Sequence, residues 1–202
     1  MTEEQKVFVV DDDDAMRDSL KWLLESRGLK VDIYASSEEF LAAFHGGMTG
    51  CMVLDVRMPG MSGLELYEQL QARAATLPVI FITGHGDVPM AVTALKRGAA
   101  DFIEKPFNDR EMLGLVERCM AEDRAARDKR AASALATQRL GSLTQREREV
   151  LDLIVGGKLN KQIADELGIS IKTVEVHRSR VMGKMEVNSV AKLVQRVMKS
   201  QG

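Results

Sequence analysis

Over its first 120 residues the chain alternates between short apolar runs and segments of helical spacing. The runs Val7–Val10, Val31–Tyr34, Cys51–Leu54, Val79–Ile82 and Asp101–Ile103 read as strands. The segments between and after them, roughly Ala15–Ser26, Glu38–Phe44, Leu64–Ala72, Val88–Arg97 and Asp109–Met120, read as helices. Strict alternation of this kind predicts βαβ units and a parallel sheet covered on both faces, a doubly wound α/β domain. Leu20, Leu23 and Leu24 place one apolar face on the first helix. Val88, Ala91, Val92 and Leu95, at i, i+3, i+4 and i+7, do the same on the fourth.

In a parallel sheet all carboxyl ends of the strands open on one rim, where doubly wound folds keep their chemistry. Asp11 and Asp12 follow the first strand, Asp55 ends the third, Thr83 follows the fourth and Lys105 follows the fifth. Taken singly, each has an ordinary reading: a strand-end Asp caps the next helix, Thr83 ends a strand, Lys105 is a surface charge. Together they gather three carboxylates, a hydroxyl and an amine. Three carboxylates on one rim repel each other and call for a cation, with Mg²⁺ the expected one for oxygen ligands. Metal and ammonium would neutralise a phosphoryl group while Asp55 attacks it in line.

Val9-Val-Asp-Asp, Leu54-Asp-Val-Arg-Met-Pro-Gly-Met-Ser-Gly, Ile82-Thr-Gly-His-Gly-Asp and Lys105-Pro-Phe resemble the receiver domain of bacterial response regulators. The resemblance implies a CheY-like (βα)5 fold of sheet order 2-1-3-4-5 and transfer of a phosphoryl group from a sensor histidine kinase to Asp55. It implies that Asp12, Asp55 and the Arg57 backbone carbonyl ligate Mg²⁺, with Asp11 holding a metal-bound water. It implies that Thr83 and Lys105 contact the phosphoryl group and that Lys105–Pro106 is cis. Thr83 and Phe102 would form a switch in which the hydroxyl moves to the phosphate and the ring turns inward; Phe102 lacks the hydroxyl of the Tyr found in many receivers. The face from Val88 to Lys105 would then carry dimerisation.

The net charge of −2 conceals a division. Residues 1–122 hold 12 Lys+Arg against 21 Asp+Glu, a net −9, and residues 123–202 hold 16 against 9, a net +7. Two domains with different partners are expected, the basic one a nucleic-acid binder. We read residues 1–120 as the receiver, 121–141 as a linker and 142–202 as a second domain. The linker is rich in Ala and charge and lacks Pro, so it favours helix, an extension of the fifth helix. Cys51 and Cys119, far apart in sequence, match no metal spacing and read as reduced buried thiols. No signal peptide is evident and no apolar run approaches about 18 residues, so a cytoplasmic protein without membrane contact is expected.

In the second domain, Thr144-Gln-Arg-Glu147 is a capping box. Val150, Leu151, Leu153 and Ile154 form the face of the helix it opens, and Gly156-Gly157 stop it. Asn160 caps a helix ending at Gly168, Ser170 caps Ile171–Met185, and Asn188 caps a last helix striped by Val190, Leu193, Val194, Val197 and Met198. The second and third of these helices have the helix-turn-helix form. On the third, Val174, Val181 and Met185 face inward and Lys172, Val176, Ser179 and Gly183 outward, flanked by Thr173, Glu175 and Arg180. A slim face of small and basic residues can enter a major groove. Lys172, Arg178 and Arg180 would bind phosphates, Arg178 reaching outward from the buried side. Glu175, Val176 and Ser179 would read base edges, and Thr173 lies beside them.

Leu143-Thr-Gln-Arg-Glu-Arg-Glu-Val-Leu, Asn160-Lys-Gln-Ile-Ala and Thr173-Val-Glu-Val-His-Arg resemble the LuxR/NarL/FixJ-type DNA-binding domain, with Glu175 where some relatives carry Lys. With the receiver in front, the whole chain resembles a FixJ-subfamily response regulator. That resemblance implies a phosphorylation-activated transcription regulator, not an enzyme. Its partners would be a sensor histidine kinase, an operator in double-stranded DNA, a second copy on phosphorylation, and RNA polymerase as a further candidate. Two rivals are a Mg²⁺ phosphohydrolase and a DNA-binding or scaffold protein independent of phosphorylation. Against the first, Arg57 stands two residues after Asp55, where an acid for the leaving group would be needed.

Overall fold

The computed structural model describes residues 4–84 and 88–200. The chain divides into two compact units between Ala126 and Arg127. The first holds a parallel five-stranded sheet of order β2-β1-β3-β4-β5, built from β1 Lys6–Val10, β2 Val31–Tyr34, β3 Gly50–Asp55, β4 Val79–Thr83 and β5 Asp101–Glu104. Helices α1 Asp14–Glu25, α2 Ser37–Ala43, α3 Gly63–Ala72, α4 Val88–Lys96 and α5, starting at Asp109, alternate with the strands. This is the doubly wound, CheY-like receiver fold expected.

The period of two along the strands separates two cores. Val7, Val9, Cys51, Val53, Ile80, Ile82 and Ile103 pack on one face with Leu20, Leu23 and Leu24 of α1 and with Met112, Val116 and Cys119 of α5. Phe8, Val10, Met52, Leu54, Val79 and Phe81 pack on the other with Phe40 of α2, Leu66 and Leu70 of α3, and Ala94 of α4. The central strand β3 is buried along its whole length. That is why it reads as a continuous apolar run rather than an alternating one.

Cys51 and Cys119 meet in the first core as free thiols. A hydrogen bond with Cys119, and then burial, pushes the Cys51 thiol well up.

On α4 the inward face differs from the one read in the sequence. Ala94 is buried and Leu95 packs beside it, while Val92 is exposed, as is Met90. The nine-residue helix spans all four positions of the stripe; of those described, Leu95 packs on the core as read and Val92 does not. The side chains of Val88 and Ala91 lie outside the described residues, as do His85, Gly86 and Asp87.

Helix α5 runs without a break from Asp109 to Gly141. In the second unit, α6 Gln145–Val155, α7 Asn160–Leu167, α8 Ile171–Lys184 and α9 Val190–Ser200 enclose a core of Val150, Leu151, Ile154, Ile163, Val174, Val181, Met185 and Leu193.

Thr144 and Glu147 form the reciprocal capping box expected. Two expected caps fall one residue away. Leu159, not Asn160, precedes α7; its side chain has no acceptor, and Gln162 Oε1 instead takes the Leu159 N–H at 2.8 Å. Ser189, not Asn188, precedes α9, its Oγ accepting from Lys192 N at 3.3 Å. Ser189 lies one turn before the fully buried Leu193, whose N–H bonds the Ser189 carbonyl, so core burial sets the phase of the helix. On that helix Val190 and Met198 are exposed, leaving Leu193 to anchor the stripe.

Candidate functional site

The rim at the carboxyl ends of the strands gathers residues from the ends of β1, β3, β4 and β5. Asp55 is the last residue of β3. The next turn returns to it, Gly63 N donating to the Val56 carbonyl at 3.1 Å. A Cβ on Gly63 would sit 2.0 Å from the Asp55 carbonyl oxygen, so only glycine lets α3 start this close. The Ser62–Glu65 capping box opens α3, and Glu38 of α2 holds the loop by accepting from Met61 N at 2.8 Å. Burial of Val56 and Met58 in the second core, together with these hydrogen bonds, fixes the loop after Asp55.

Asp11 and Thr83 are fully buried, Asp55 is nearly so, and Asp12 is exposed. Asp11, Asp12 and Asp55 each bring a carboxylate oxygen within 4.8 Å of the others. Lys105 Nζ donates to Asp11 Oδ2 and to Asp55 Oδ2, both at 3.0 Å. Asp11 Oδ1 accepts from Asp13 N at 2.9 Å, and Asp55 Oδ1 from Arg57 N at 3.4 Å.

Desolvation raises the Asp11 carboxyl above its ordinary value, against the lowering effect of the Asp13 N–H and Lys105. Burial pulls the Lys105 ammonium down, but its bonds to Asp55 and Asp11 outweigh that and leave it raised. The Lys105–Pro106 peptide is cis. The Thr83 hydroxyl is buried and, among the described residues, has no hydrogen-bond partner, a state that costs about 1–3 kcal/mol unless a ligand or water supplies one.

Phe102 pairs with Phe81 across β4 and β5, while Thr83 pairs with Glu104. Thr83 and Phe102 are therefore diagonal neighbours on one face of the sheet, with Phe102 partly buried against the second core. Sequence reasoning passed over Arg17, a buried cation on α1 whose Nη1 donates to the Asp11 carbonyl at 2.6 Å. Its signal was available: a single Arg one turn into a helix that starts from four consecutive acids.

In the second unit, Gly168, in the left-handed conformation at φ 64°, ends α7 and turns the chain toward α8. Ser170 caps α8, its Oγ accepting from Thr173 N at 3.1 Å. Val174, Val181 and Met185 are fully buried. Lys172, Glu175, Val176, Ser179 and Arg180 are exposed along the other side, and Arg178 is half-buried. Among the described residues none of these six has a side-chain hydrogen bond or ion pair. Thr173 differs: it is half-buried and its hydroxyl shares a hydrogen bond with Ser170 at 2.8 Å, which ties it to the cap.

Comparison with known proteins agrees with both halves. Residues 7–117 match the response regulator receiver domain, and residues 141–197 match the bacterial regulatory proteins of the luxR family. The chain is similar to the transcriptional regulatory protein FixJ of Azorhizobium caulinodans, 50% identical over 96% of this chain and 92% of the relative. It is 43% identical to FixJ of Bradyrhizobium diazoefficiens over 99% of this chain and 98% of the relative.

Among solved structures, the response regulator StyR superposes with a TM-score of 0.88 at 45% identity, covering 98% of this chain and all of the other. Full-length FixJ from B. japonicum superposes with a TM-score of 0.62 at 42% identity, covering 99% of this chain and 98% of that one. An acidic rim around Asp55 in a receiver fold, a luxR-family helical domain and these full-length relatives lead to one conclusion: the chain belongs to the FixJ-like, LuxR-family response regulators and is a DNA-binding transcriptional response regulator.

Proposed function

We propose that the chain accepts a phosphoryl group on Asp55 from the histidine of a cognate sensor kinase and responds by binding a double-stranded DNA operator as a homodimer. The observation that carries this reading is the Lys105 ammonium, held 3.0 Å from both Asp55 and Asp11. It marks the point where extra negative charge would be received.

The donor set fits a hard divalent cation, since three carboxylates converge within 4.8 Å and Lys105 offsets one charge of the three. Asp11, Asp12, Asp55 and the Arg57 carbonyl would hold Mg²⁺, Asp11 through a water. When bound, Mg²⁺ supplies positive charge beside the phosphoryl oxygens.

An Asp55 carboxylate oxygen attacks phosphorus in line. The bond from phosphorus to the kinase imidazole nitrogen breaks, and its electron pair returns to the ring. Lys105 turns from the two carboxylates toward a phosphoryl oxygen. The Thr83 hydroxyl, without a partner among the described residues, donates to another. As it moves, Phe102 follows into the vacated space, and the α4–β5 face, where Met90 and Val92 are exposed, becomes the dimer surface.

Residues 1–120 serve as receiver, 121–141 as helical linker and 142–202 as DNA-binding domain. Lys172, Arg178 and Arg180 bind phosphates; Glu175, Val176 and Ser179 read base edges, with Thr173 orienting the cap beside them. RNA polymerase is the further partner, and the cytoplasm, where kinase output and DNA meet, is the place of action. No helix among the described residues is long and apolar enough to cross a membrane. The protein acts as a stoichiometric switch and not as an enzyme with an external substrate, because Arg57 occupies the place of a leaving-group acid.

Light scattering with and without acetyl phosphate and Mg²⁺, on wild type and Asp55→Asn, tests the proposal. A doubling of molar mass seen with the wild type alone is the expected result. Confirmed phosphorylation of Asp55 without a mass change would remove the dimerisation step and leave release of a masked recognition helix. Full regulatory output from Asp55→Asn in cells would overturn the role of phosphorylation.

A further inference from the structure

The Asp11 N–H continues the sheet by donating to the Tyr34 carbonyl at 3.2 Å, but β1 ends at Val10 and the Asp11 carbonyl has left the ladder. That oxygen is taken by Arg17 Nη1 at 2.6 Å. A second guanidinium nitrogen pairs with the Asp14 carboxylate, and the side chain is only 11% exposed. A buried guanidinium is costly unless its donors are satisfied, and nothing in apolar packing calls for one here.

The two neighbouring acids are held differently. The Asp11 carboxylate is fixed at both oxygens, by Asp13 N and by Lys105. The Asp12 carboxylate is exposed and, among the described residues, makes no hydrogen bond. With no such bond to hold it, its place depends on where the backbone puts the Asp12 Cα. The peptide between Asp11 and Asp12 is planar, so holding the Asp11 carbonyl also fixes the nitrogen and Cα of Asp12.

We infer that Arg17 is a positioning residue for the divalent-cation site: its grip on the Asp11 carbonyl aims the Asp12 carboxylate at Asp11 and Asp55. The inference rests on the reading of the rim as a Mg²⁺ site. The planar fork of Arg serves the carbonyl and Asp14 at once, which a Lys ammonium on a flexible stem does less well. The inference also has a sign. Were Arg17 only a nearby positive charge, its removal would strengthen Mg²⁺ binding; as a positioning group, its removal weakens it.

Mg²⁺ is titrated calorimetrically into the full chain as wild type, Arg17→Met, Arg17→Lys and Asp12→Asn, and into the two double variants that combine Asp12→Asn with each Arg17 change, with a melting curve for each. Arg17→Met is expected to weaken Mg²⁺ roughly tenfold or more, the usual cost of losing a group that orients a metal ligand. Arg17→Lys should fall between it and wild type. In the Asp12→Asn background both changes should alter affinity by less than about twofold, because the residue they act through is gone.

Tighter or unchanged binding by Arg17→Met overturns the inference. So does an equal loss in both backgrounds, which marks a general structural role. If Arg17→Met does not fold, Arg17→Lys carries the same comparison. A wild-type chain that takes up no Mg²⁺ overturns the cation site and this inference together, whereas wild-type binding with an indifferent Arg17 overturns the inference alone.

Discussion

Asp11 shows how a single residue can be placed against its own stability. It is fully buried beside Asp55, and desolvation holds its carboxyl above the ordinary value even with Lys105 and the Asp13 N–H in contact. A raised carboxyl binds its proton more tightly in the folded than in the unfolded chain. Its favourable contribution is therefore present at low pH and is lost as pH rises through the folded value. At neutral pH, without a cation, ionised Asp11 is a liability. Asp11→Asn keeps the shape and removes the charge, so in EDTA it should melt higher than wild type by a few degrees at neutral pH. The difference should shrink as the pH falls toward the ordinary carboxylate range. A lower melting temperature for the variant at neutral pH would mean that the bond to Lys105 outweighs the desolvation.

At the scale of elements, α5 is joined to the amino-terminal edge of the sheet by a polar knot. Asp123, buried on α5, accepts from Gln5 Nε2 at 2.9 Å and from Gly50 N at 3.0 Å. Gln5 also donates to the Met120 carbonyl and accepts from Arg124. Gly50 begins β3, and its backbone at φ 125° lies so close to Lys6 that a Cβ would fall 1.9 Å from the Lys6 carbonyl. Strand β3 thus has the root of the long helix at one end and Asp55 at the other. Asp123→Ala would strip the Gly50 N–H of its partner in a buried place and should cost about 1–3 kcal/mol of receiver stability. Denaturant melts give the size of the loss, and faster amide exchange over residues 120–126 than over α1 would locate it. A variant as stable as wild type, with unchanged exchange, would show the knot to be dispensable.

For the whole molecule, the uneven charge sets how its halves meet their partners. The carboxyl-terminal 80 residues carry a net +7, and Lys172, Arg178 and Arg180 sit on the helix that faces outward. Cations that pair with DNA phosphates release counterions, so on the proposed reading these three strengthen binding to every sequence alike. Arg180→Ala should weaken binding at specific and random sites together and lower the slope of log affinity against log salt by about one. On the proposed reading Glu175→Lys should instead change which operator is preferred, since Glu175 is exposed on the side of α8 assigned to base edges. Binding titrations on an operator and a scrambled duplex at several salt concentrations separate the two effects.

Much of this was legible in the residues alone. Alternating apolar runs require a parallel sheet, because each run is too short for a helix and each intervening segment buries one helical face. A parallel sheet then brings Asp11, Asp12, Asp55, Thr83 and Lys105 to one rim, since all its strands point the same way. The capping box at Thr144 was readable because it depends on neighbours three residues apart.

What depended on distant neighbours was not readable. Ser189 rather than Asn188 starts α9 because Leu193 must point into a core that four helices build together. Ala94 is buried on α4 and Val92 is not, a choice made by the packing of the helix and not visible in its own stripe. Asp123 looks like an ordinary surface charge in the sequence, whereas Arg17 leaves a local signal beside four consecutive acids. Only folding sets Asp123 against Gly50, 73 residues away. Local chemistry is written in sequence order; the partner of a buried charge is chosen by the packing of elements that are not neighbours in the chain.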